Sequence, residues 1–98
     1  MNIFESLFKK KPNFTELISK GAKVVDVRTN SEFKQGHFPD SINIPLDSIN
    51  RQIDTLQKFE KIILVCRSGI RARNAKAILK GKGIDAVNAG AWQNLNSK

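Results

Sequence analysis

Four consecutive aliphatic residues, at positions 62–65, constrain the fold of this chain more than any other feature. A run this apolar, with no polar residue in alternation, is typical of a strand buried on both faces, as in a parallel sheet. It leads directly into Cys66, the single cysteine, and then into a short loop that contains Gly69. The helical pattern that follows carries apolar residues on one face, at Ala72, Ala75, Ile78 and Leu79.

Strand and helix patterns alternate along the rest of the chain. Strands are predicted at residues 24–27, 42–44, 62–65 and 86–88. Helices are predicted after an Asn13 N-cap, around residues 31–34, after a cap at Asp47 or Ser48, and from the loop to Gly81. No hairpin signal separates any two strands. The pattern therefore predicts an α/β fold of three layers, with an open parallel sheet of four to five strands and helices on both faces.

The surroundings of Cys66 favour a chemical role. A strand–loop–helix unit aims backbone N–H groups and the positive end of a helix at the loop. Arg67, Arg71 and Arg73 flank the thiol, and both influences favour the thiolate, the nucleophilic form of cysteine. A cysteine after an aliphatic run can also be a small buried hydrophobe. The glycine loop and its arginines favour the other interpretation, a nucleophile that handles anions.

Composition sets the broad class. The 98 residues, 40% of them hydrophobic and 27% charged, are typical of one small soluble domain, expected at residues 13–98 as a monomer. Residues 1–12 form an amphipathic, basic segment without the long apolar stretch of a signal peptide or a membrane helix, so no stable membrane insertion is expected. One cysteine excludes an internal disulfide, and a free reactive thiol suits the reducing cytoplasm.

The positive charge is concentrated around the cysteine. The net charge is +8, and the segment from Lys61 to Gly83 holds seven Lys or Arg and no Asp or Glu. Such a field attracts small anions and equally an acidic partner protein. Nucleic acid is not expected as a partner because no aromatic residues are interleaved with the basic ones. No cluster of Cys and His has metal-ligand spacing, so no metal is expected.

Four segments, in this order and spacing, resemble the rhodanese domain family across residues 13–96. They are Val-Asp-Val-Arg at 25–28, Gly-His-Phe-Pro-Asp-Ser-Ile-Asn-Ile-Pro at 36–45, Cys-Arg-Ser-Gly-Ile-Arg at 66–71, and Asn-Ala-Gly-Ala-Trp at 88–92. The departures are small. Asp40 and Ser41 stand where the family usually has Gly-Ala, and a single Gly90 stands where many members have two.

The resemblance implies a thiosulfate sulfurtransferase that needs no cofactor. Cys66 would attack the outer sulfur of thiosulfate, sulfite would leave, and the resulting persulfide would pass to cyanide or another thiophilic acceptor. Substrate binding would fall to the loop residues Arg67, Ser68, Gly69, Ile70 and Arg71. Backbone N–H groups between Arg67 and Arg71 would stabilise the anionic persulfide, and the two arginines would hold the thiosulfate dianion.

Two roles were considered for each of four other residues. Asp26 either lines the site or accepts hydrogen bonds from nearby backbone, and Arg28 either supports the site or is structural, paired with Glu32. His37, the only histidine, would be a framework residue by the resemblance, rather than a general base. Trp92 is predicted to be a core residue rather than a platform for substrate.

Other functions share parts of this pattern. Cysteine phosphatases and arsenate reductases hold oxyanions in a Cys-x5-Arg loop, but here that offset from Cys66 falls on Ala72, and Arg71 gives Cys-x4-Arg. The shorter loop favours a single sulfur atom over a tetrahedral phosphate. A persulfide carrier, or a docking module for a partner protein, remains open beside the enzyme because it would share the same sequence features.

Overall fold

Four parallel strands form one open sheet in the computed structural model, which describes residues 13–96. The strands are β1 (Lys23–Asp26), β2 (Ile42–Asn43), β3 (Ile62–Cys66) and β4 (Ala86–Ala91), in the order β2-β1-β3-β4. The helices are α1 (Phe14–Ser19), α2 (Asn30–Lys34), α3 (Ile53–Leu56) and α4 (Ile70–Gly81), with 3-10 helices at Leu46–Gln52 and Trp92–Asn96. The predicted segment 1–12 lies outside the described residues.

Both faces of the sheet are covered, which explains the unbroken apolar run in β3. Ile62, Leu64 and Cys66 belong to a core that α4, α3 and the first 3-10 helix cover. Ile63 and Val65 point to a second core, packed under α1 and the second 3-10 helix. All five residues are fully buried, and the prediction of a parallel sheet between two helical layers is confirmed. Within residues 13–96, no helix has the length and apolar character needed to cross a membrane.

One predicted helix N-cap is present in the structure and another is not. Asn13 is the N-cap of α1, where its side chain accepts the Glu16 N–H at 3.0 Å. The predicted cap at Asp47 or Ser48 is wrong. The segment begins as a 3-10 helix after Pro45, whose carbonyl accepts the Ser48 N–H at 2.7 Å. The Leu46 N–H donates to the Val27 carbonyl at 3.0 Å, so backbone carbonyls take the place of a side-chain cap at this start.

A bulge in β4 shapes the sheet beside the end of β3. Leu64 pairs with Asn88, but the next residue, Val65, pairs with Gly90, so Ala89 is an additional residue in β4. Bulges of this kind bend a strand and redirect its side chains, and they are common next to active sites. Since all strands are parallel, this bulge lies near the same edge of the sheet as Cys66.

Candidate active site

The sulfur of Cys66 takes the place of a helix cap. Cys66 is the last residue of β3, and its Sγ accepts the N–H of Gly69 at 2.9 Å and that of Ala72 at 3.4 Å. Ala72 is the third residue of α4, whose N–H is ordinarily bonded by an N-cap side chain. The N-cap here is Gly69, which has no side chain to offer. The positive end of α4 is therefore directed at the sulfur.

The loop packs against β4 at Gly69. Gly69 has φ 97°, in the left-handed region, and a Cβ on it would lie 3.3 Å from Cα of Gly90. The conformation favours glycine, and the close approach adds to that preference. Asn88 completes the contact: its Nδ2 donates to the Gly69 carbonyl at 3.0 Å, and its Oδ1 accepts the Gly90 N–H at 2.8 Å. Asn88 thus links the bulged segment of β4 to the loop at Gly69.

Arg71 is already engaged by a carboxylate. Its two terminal nitrogens bond Oε1 and Oε2 of Glu32 at 2.7 and 3.0 Å, across 39 positions of sequence. The hydrogen bond from Arg71, and then that from the Thr29 backbone, lower the pKa of Glu32 from 4.5 to about 2. The same hydrogen bond raises the pKa of Arg71 above its ordinary value, and the charges of Glu32 and Cys66 add to this effect. The Arg71 guanidinium is therefore held as an ion pair by Glu32.

Asp26 and Arg28 form a buried ion pair. The Arg28 guanidinium donates to both carboxylate oxygens of Asp26, the shortest contact being 2.7 Å, and its backbone N–H donates to Oδ1 at 3.0 Å. Asp26 therefore accepts from backbone, as one reading predicted, and its carboxylate is held mainly by the arginine. The predicted pairing of Arg28 with Glu32 is wrong. The Glu32 carboxylate bonds Arg71, and Arg28 approaches only the Glu32 carbonyl, at 3.4 Å.

The remaining loop residues are exposed to solvent. Arg67, Ser68 and Ile70 are exposed, whereas Cys66 is fully buried. The predicted N–H donors lay between Arg67 and Arg71, and the two that bond Sγ are those of Gly69 and Ala72. The second donor was missed because Ala72 carries an apolar side chain that belongs to the core.

Two residues outside the loop are framework residues in this structure. His37 stacks on Phe33, and its Nδ1 lies 2.7 Å from the Phe33 carbonyl. Trp92 packs against the second core, and the Arg28 guanidinium lies 5.1 Å from its ring centroid. Trp92 was predicted to be a core residue, and it is partly buried at the margin of that core.

Sequence reasoning gave neither Glu32 nor Asn88 a role at the loop. Glu32 also completes a capping box with Thr29 at the start of α2, a local role that conceals its contact with Arg71. Asn88 lies in one of the four segments that resemble the rhodanese family. That position was the one feature of the sequence that could have indicated a role for Asn88 at the loop.

Comparison with known proteins agrees with this geometry. Residues 11–97 match the rhodanese-like domain family. A sulfurtransferase of Allochromatium vinosum is 34% identical over 64 residues, covering 65% of this chain and 60% of its own length. A tRNA uridine(34) hydroxylase of Buchnera aphidicola is 35% identical over 77 residues, covering 72% of this chain and 25% of its own length. A rhodanese-like domain protein from Staphylococcus aureus has a crystal structure with TM-score 0.69 and 31% identity, covering 93% of this chain and 80% of that one.

A buried strand that ends in a cysteine under the first turn of a helix thus defines an α/β domain of the rhodanese type. The chain belongs to the rhodanese-like domain family, which has sulfurtransferases among its members. It spans less than two thirds of the length of either curated relative described above.

Proposed function

We propose that this domain is a sulfurtransferase that carries a sulfane sulfur on Cys66. The Cys66 thiolate attacks the outer sulfur of thiosulfate, the sulfur–sulfur bond of thiosulfate breaks, and sulfite leaves with its electron pair. A thiophilic acceptor such as cyanide then attacks the outer sulfur of the persulfide, and the Cys66 thiolate is released. Dividing the transfer into two displacements is covalent catalysis, and ping-pong kinetics follow from it.

The observation that carries this proposal is the pair of N–H groups on Sγ. Gly69 and Ala72 direct their N–H groups at one sulfur atom, at the positive end of a 12-residue helix. Preorganised donors of this kind stabilise an anion without reorganisation during the reaction. A packing cysteine would not need them. The proposed site contains Cys66 as nucleophile, and the loop residues from Arg67 to Arg71 as the substrate-binding segment.

Burial of Cys66 sets a condition on the mechanism. The loop encloses the sulfur, so a donor reaches Sγ only when loop residues move outward or when the sulfur turns towards solvent. The exposed residues of the loop, Arg67, Ser68 and Ile70, are the part that can move without disturbing the core. Arg67 is the cation that a small dianion would meet first, because the Arg71 guanidinium is bonded to Glu32.

The loop geometry also bears on the phosphatase alternative. Arg71 follows Cys66 after four residues, and Ala72, at the position of the arginine in Cys-x5-Arg, uses its N–H on Sγ. The loop therefore closes around one sulfur atom rather than a tetrahedral anion. A persulfide carrier that receives sulfur from a partner enzyme would use the same geometry, and we infer a reducing, cytoplasmic compartment for either role because the free thiol must persist there.

Mass spectrometry after incubation with thiosulfate tests the proposal. The intact protein is expected to gain one sulfur atom, located on Cys66 by peptide mapping and released as thiocyanate on addition of cyanide. In Cys66→Ser, the hydroxyl is of similar size but cannot form a persulfide, so adduct and turnover are both lost while the thermal melting temperature changes little. Turnover retained by Cys66→Ser would contradict the proposed nucleophile.

A matched comparison separates the enzyme from the carrier. The same mass measurement is made after incubation with a low-molecular-weight persulfide instead of thiosulfate. Loading from both donors supports thiosulfate sulfurtransferase activity, and loading from the persulfide alone supports a carrier. No adduct from either donor would leave Cys66 as a buried packing residue.

A further inference from the structure

The outward face of α4 carries a stripe of positive charge. Arg73, Lys76 and Lys80 are exposed and lie at i, i+3 and i+7, which places them on the same side of a helix. The opposite side, with Ala72, Ala75 and Leu79, is buried in the core. α4 contains no carboxylate along its whole length. We call the three exposed cations the α4 basic stripe.

The stripe is continuous with the rim of the active-site loop. Ile70 lies one helical turn before Arg73 and is 56% exposed, the one large hydrophobic residue exposed among residues 13–96. It belongs to the loop that encloses Cys66. At the far end, Lys76 and Lys80 border a cleft of about 380 Å³, together with Gly83, Ile84, Asp85 and Ala86. Lys80 lies ten positions after Ile70 along the helix, so the surface extends for about 15 Å from the loop.

Carboxylates of the described residues form no ion pair with the stripe. Asp85, the acidic residue of the cleft, bonds Lys61 at 2.7 Å, and that contact lowers its pKa, with a smaller contribution from the charge of Lys76. Glu32, beside the loop, is bonded to Arg71. Within the described part of the chain, Arg73, Lys76 and Lys80 form no ion pair. Protein surfaces usually intersperse both signs of charge, and a single-signed surface of this kind attracts oppositely charged partners.

We propose that Ile70 and the α4 basic stripe dock a partner protein that presents an acidic face next to a reactive cysteine. The inference rests on the proposed persulfide at Cys66. Ile70 would supply the apolar contact beside the loop, and the stripe would orient the partner along α4. The partner's thiolate would attack the outer sulfur of the Cys66 persulfide, the Cys66 thiolate would leave, and the partner would carry the persulfide away. The charge and the sulfur count balance without an oxidant or a reductant.

A pair of peptides tests the docking surface. One synthetic peptide has a single cysteine followed by glutamates, and the other has glutamines in the same positions. Cys66 is first loaded with thiosulfate, and transfer of sulfur to each peptide is followed by mass spectrometry. At low ionic strength we expect the glutamate peptide to accept sulfur at least about tenfold faster, because electrostatic attraction raises association rates by that order or more. The advantage should disappear as salt screens the charges.

Two variants of equal net charge locate the effect. Lys76→Gln with Lys80→Gln removes two cations of the stripe, and Lys20→Gln with Lys58→Gln removes two exposed cations elsewhere. The first variant should lose most of the preference for the glutamate peptide, and the second should keep it. In salt that screens long-range attraction, both should convert thiosulfate and cyanide at the parent rate because none of the four residues belongs to the loop. Equal loss in both variants, or no preference for glutamates in the parent protein, would overturn the proposal.

A binding measurement that needs no sulfur transfer tests the docking surface even if the persulfide does not form. A fluorescent glutamate peptide is titrated against Cys66→Ser, with and without Lys76→Gln and Lys80→Gln. Binding that depends on the two lysines supports the surface even when the proposed function fails. Absence of such dependence overturns the surface even when Cys66 transfers sulfur to cyanide. A single-stranded RNA of equal charge serves as competitor, and tighter binding of the RNA than of the peptide would overturn the assignment to a protein partner.

Discussion

At the scale of single residues, the contact between Glu32 and Arg71 decides how much positive charge the loop presents. Both terminal nitrogens of Arg71 are bonded to the carboxylate, so one of the two loop arginines is largely neutralised. Arg67 remains exposed. Glu32 at the same time accepts the N–H of Thr29 in its capping box. One side chain therefore links the start of α2 with the first turn of α4.

Replacement of Glu32 by Gln should lower stability in a pH-dependent way. Gln keeps an acceptor for Thr29, so the capping box survives and the change is mainly the loss of charge. The pKa of Glu32 is about 2 in the fold and 4.5 as its ordinary value, so the ionised pair contributes stability above pH 4.5. This contribution is lost as the pH falls through about 2. For a partly exposed pair we expect a loss of up to about 1 kcal/mol at neutral pH.

Urea unfolding at a series of pH values measures this difference. The gap between parent and Glu32→Gln should be constant near neutrality and close between pH 4.5 and 2. Glu60→Gln, at an exposed position before β3, makes the same change in net charge and serves as control. A gap that persisted unchanged at pH 2 would show that the charge of Glu32 is not its source.

At the scale of elements, the loop between β3 and α4 is fixed by its length. Sγ of Cys66 reaches N–H groups three and six positions ahead, and Asn88 of β4 holds the carbonyl of Gly69. These contacts come from three different elements, and each depends on the spacing between Cys66 and the first turn of α4. Lengthening or shortening the loop by one residue would displace the Ala72 N–H from Sγ.

Insertion of one alanine between Ile70 and Arg71 tests the importance of this spacing. The pattern becomes Cys-x5-Arg, the Ala72 N–H moves away from Sγ, and sulfur transfer should fall about a hundredfold, the typical cost of one oxyanion donor. Binding of phosphate or arsenate should rise, because the wider loop accommodates a tetrahedral anion. Both are measured beside an alanine insertion in the exposed turn between Gln57 and Lys58. Unchanged sulfur transfer in the loop variant would refute the hypothesis that the length of the loop selects sulfur transfer over binding of a tetrahedral anion.

At the scale of the whole molecule, the Asp26–Arg28 pair connects segments that are distant in sequence. Arg28 bonds Asp26 at the end of β1, donates to the Gly36 carbonyl at 2.7 Å, and lies over the ring of Trp92. The guanidinium is almost completely buried, and its partners come from the sheet, the turn after α2 and the second 3-10 helix. The pair therefore joins the sheet to the layer that contains the second core.

Asp26→Ala should destabilise the whole domain strongly. The substitution leaves a buried guanidinium without its carboxylate, which typically costs about 3–5 kcal/mol. That is a large part of the stability expected of a small domain. The free energy of unfolding is measured in urea, with the exposed Glu60→Ala as control, which should change it by less than about 0.5 kcal/mol. A loss as small as that of the control would mean that Arg28 finds other partners or water.

The sequence alone determined the features that depend on near neighbours. The apolar run at 62–65 required a strand covered on both faces, and the alternation of patterns required parallel connections. The Asn13 cap and the position of Cys66 at the end of a strand also followed from residues within one or two turns. These predictions succeeded because periodicity, capping and strand burial depend on residues that are close together in the sequence.

The tertiary structure decided which distant groups meet. The sequence predicted Arg28 as the partner of Glu32, and only the placement of α2 beside α4 brings Glu32 to Arg71 instead. The bulge at Ala89 depends on the register between β3 and β4, and through it Asn88 reaches Gly69. The burial of Cys66 and the use of the Ala72 N–H likewise depend on how α4 packs on the sheet. Pairings of this kind depend on the relative positions of whole elements, which no short segment encodes.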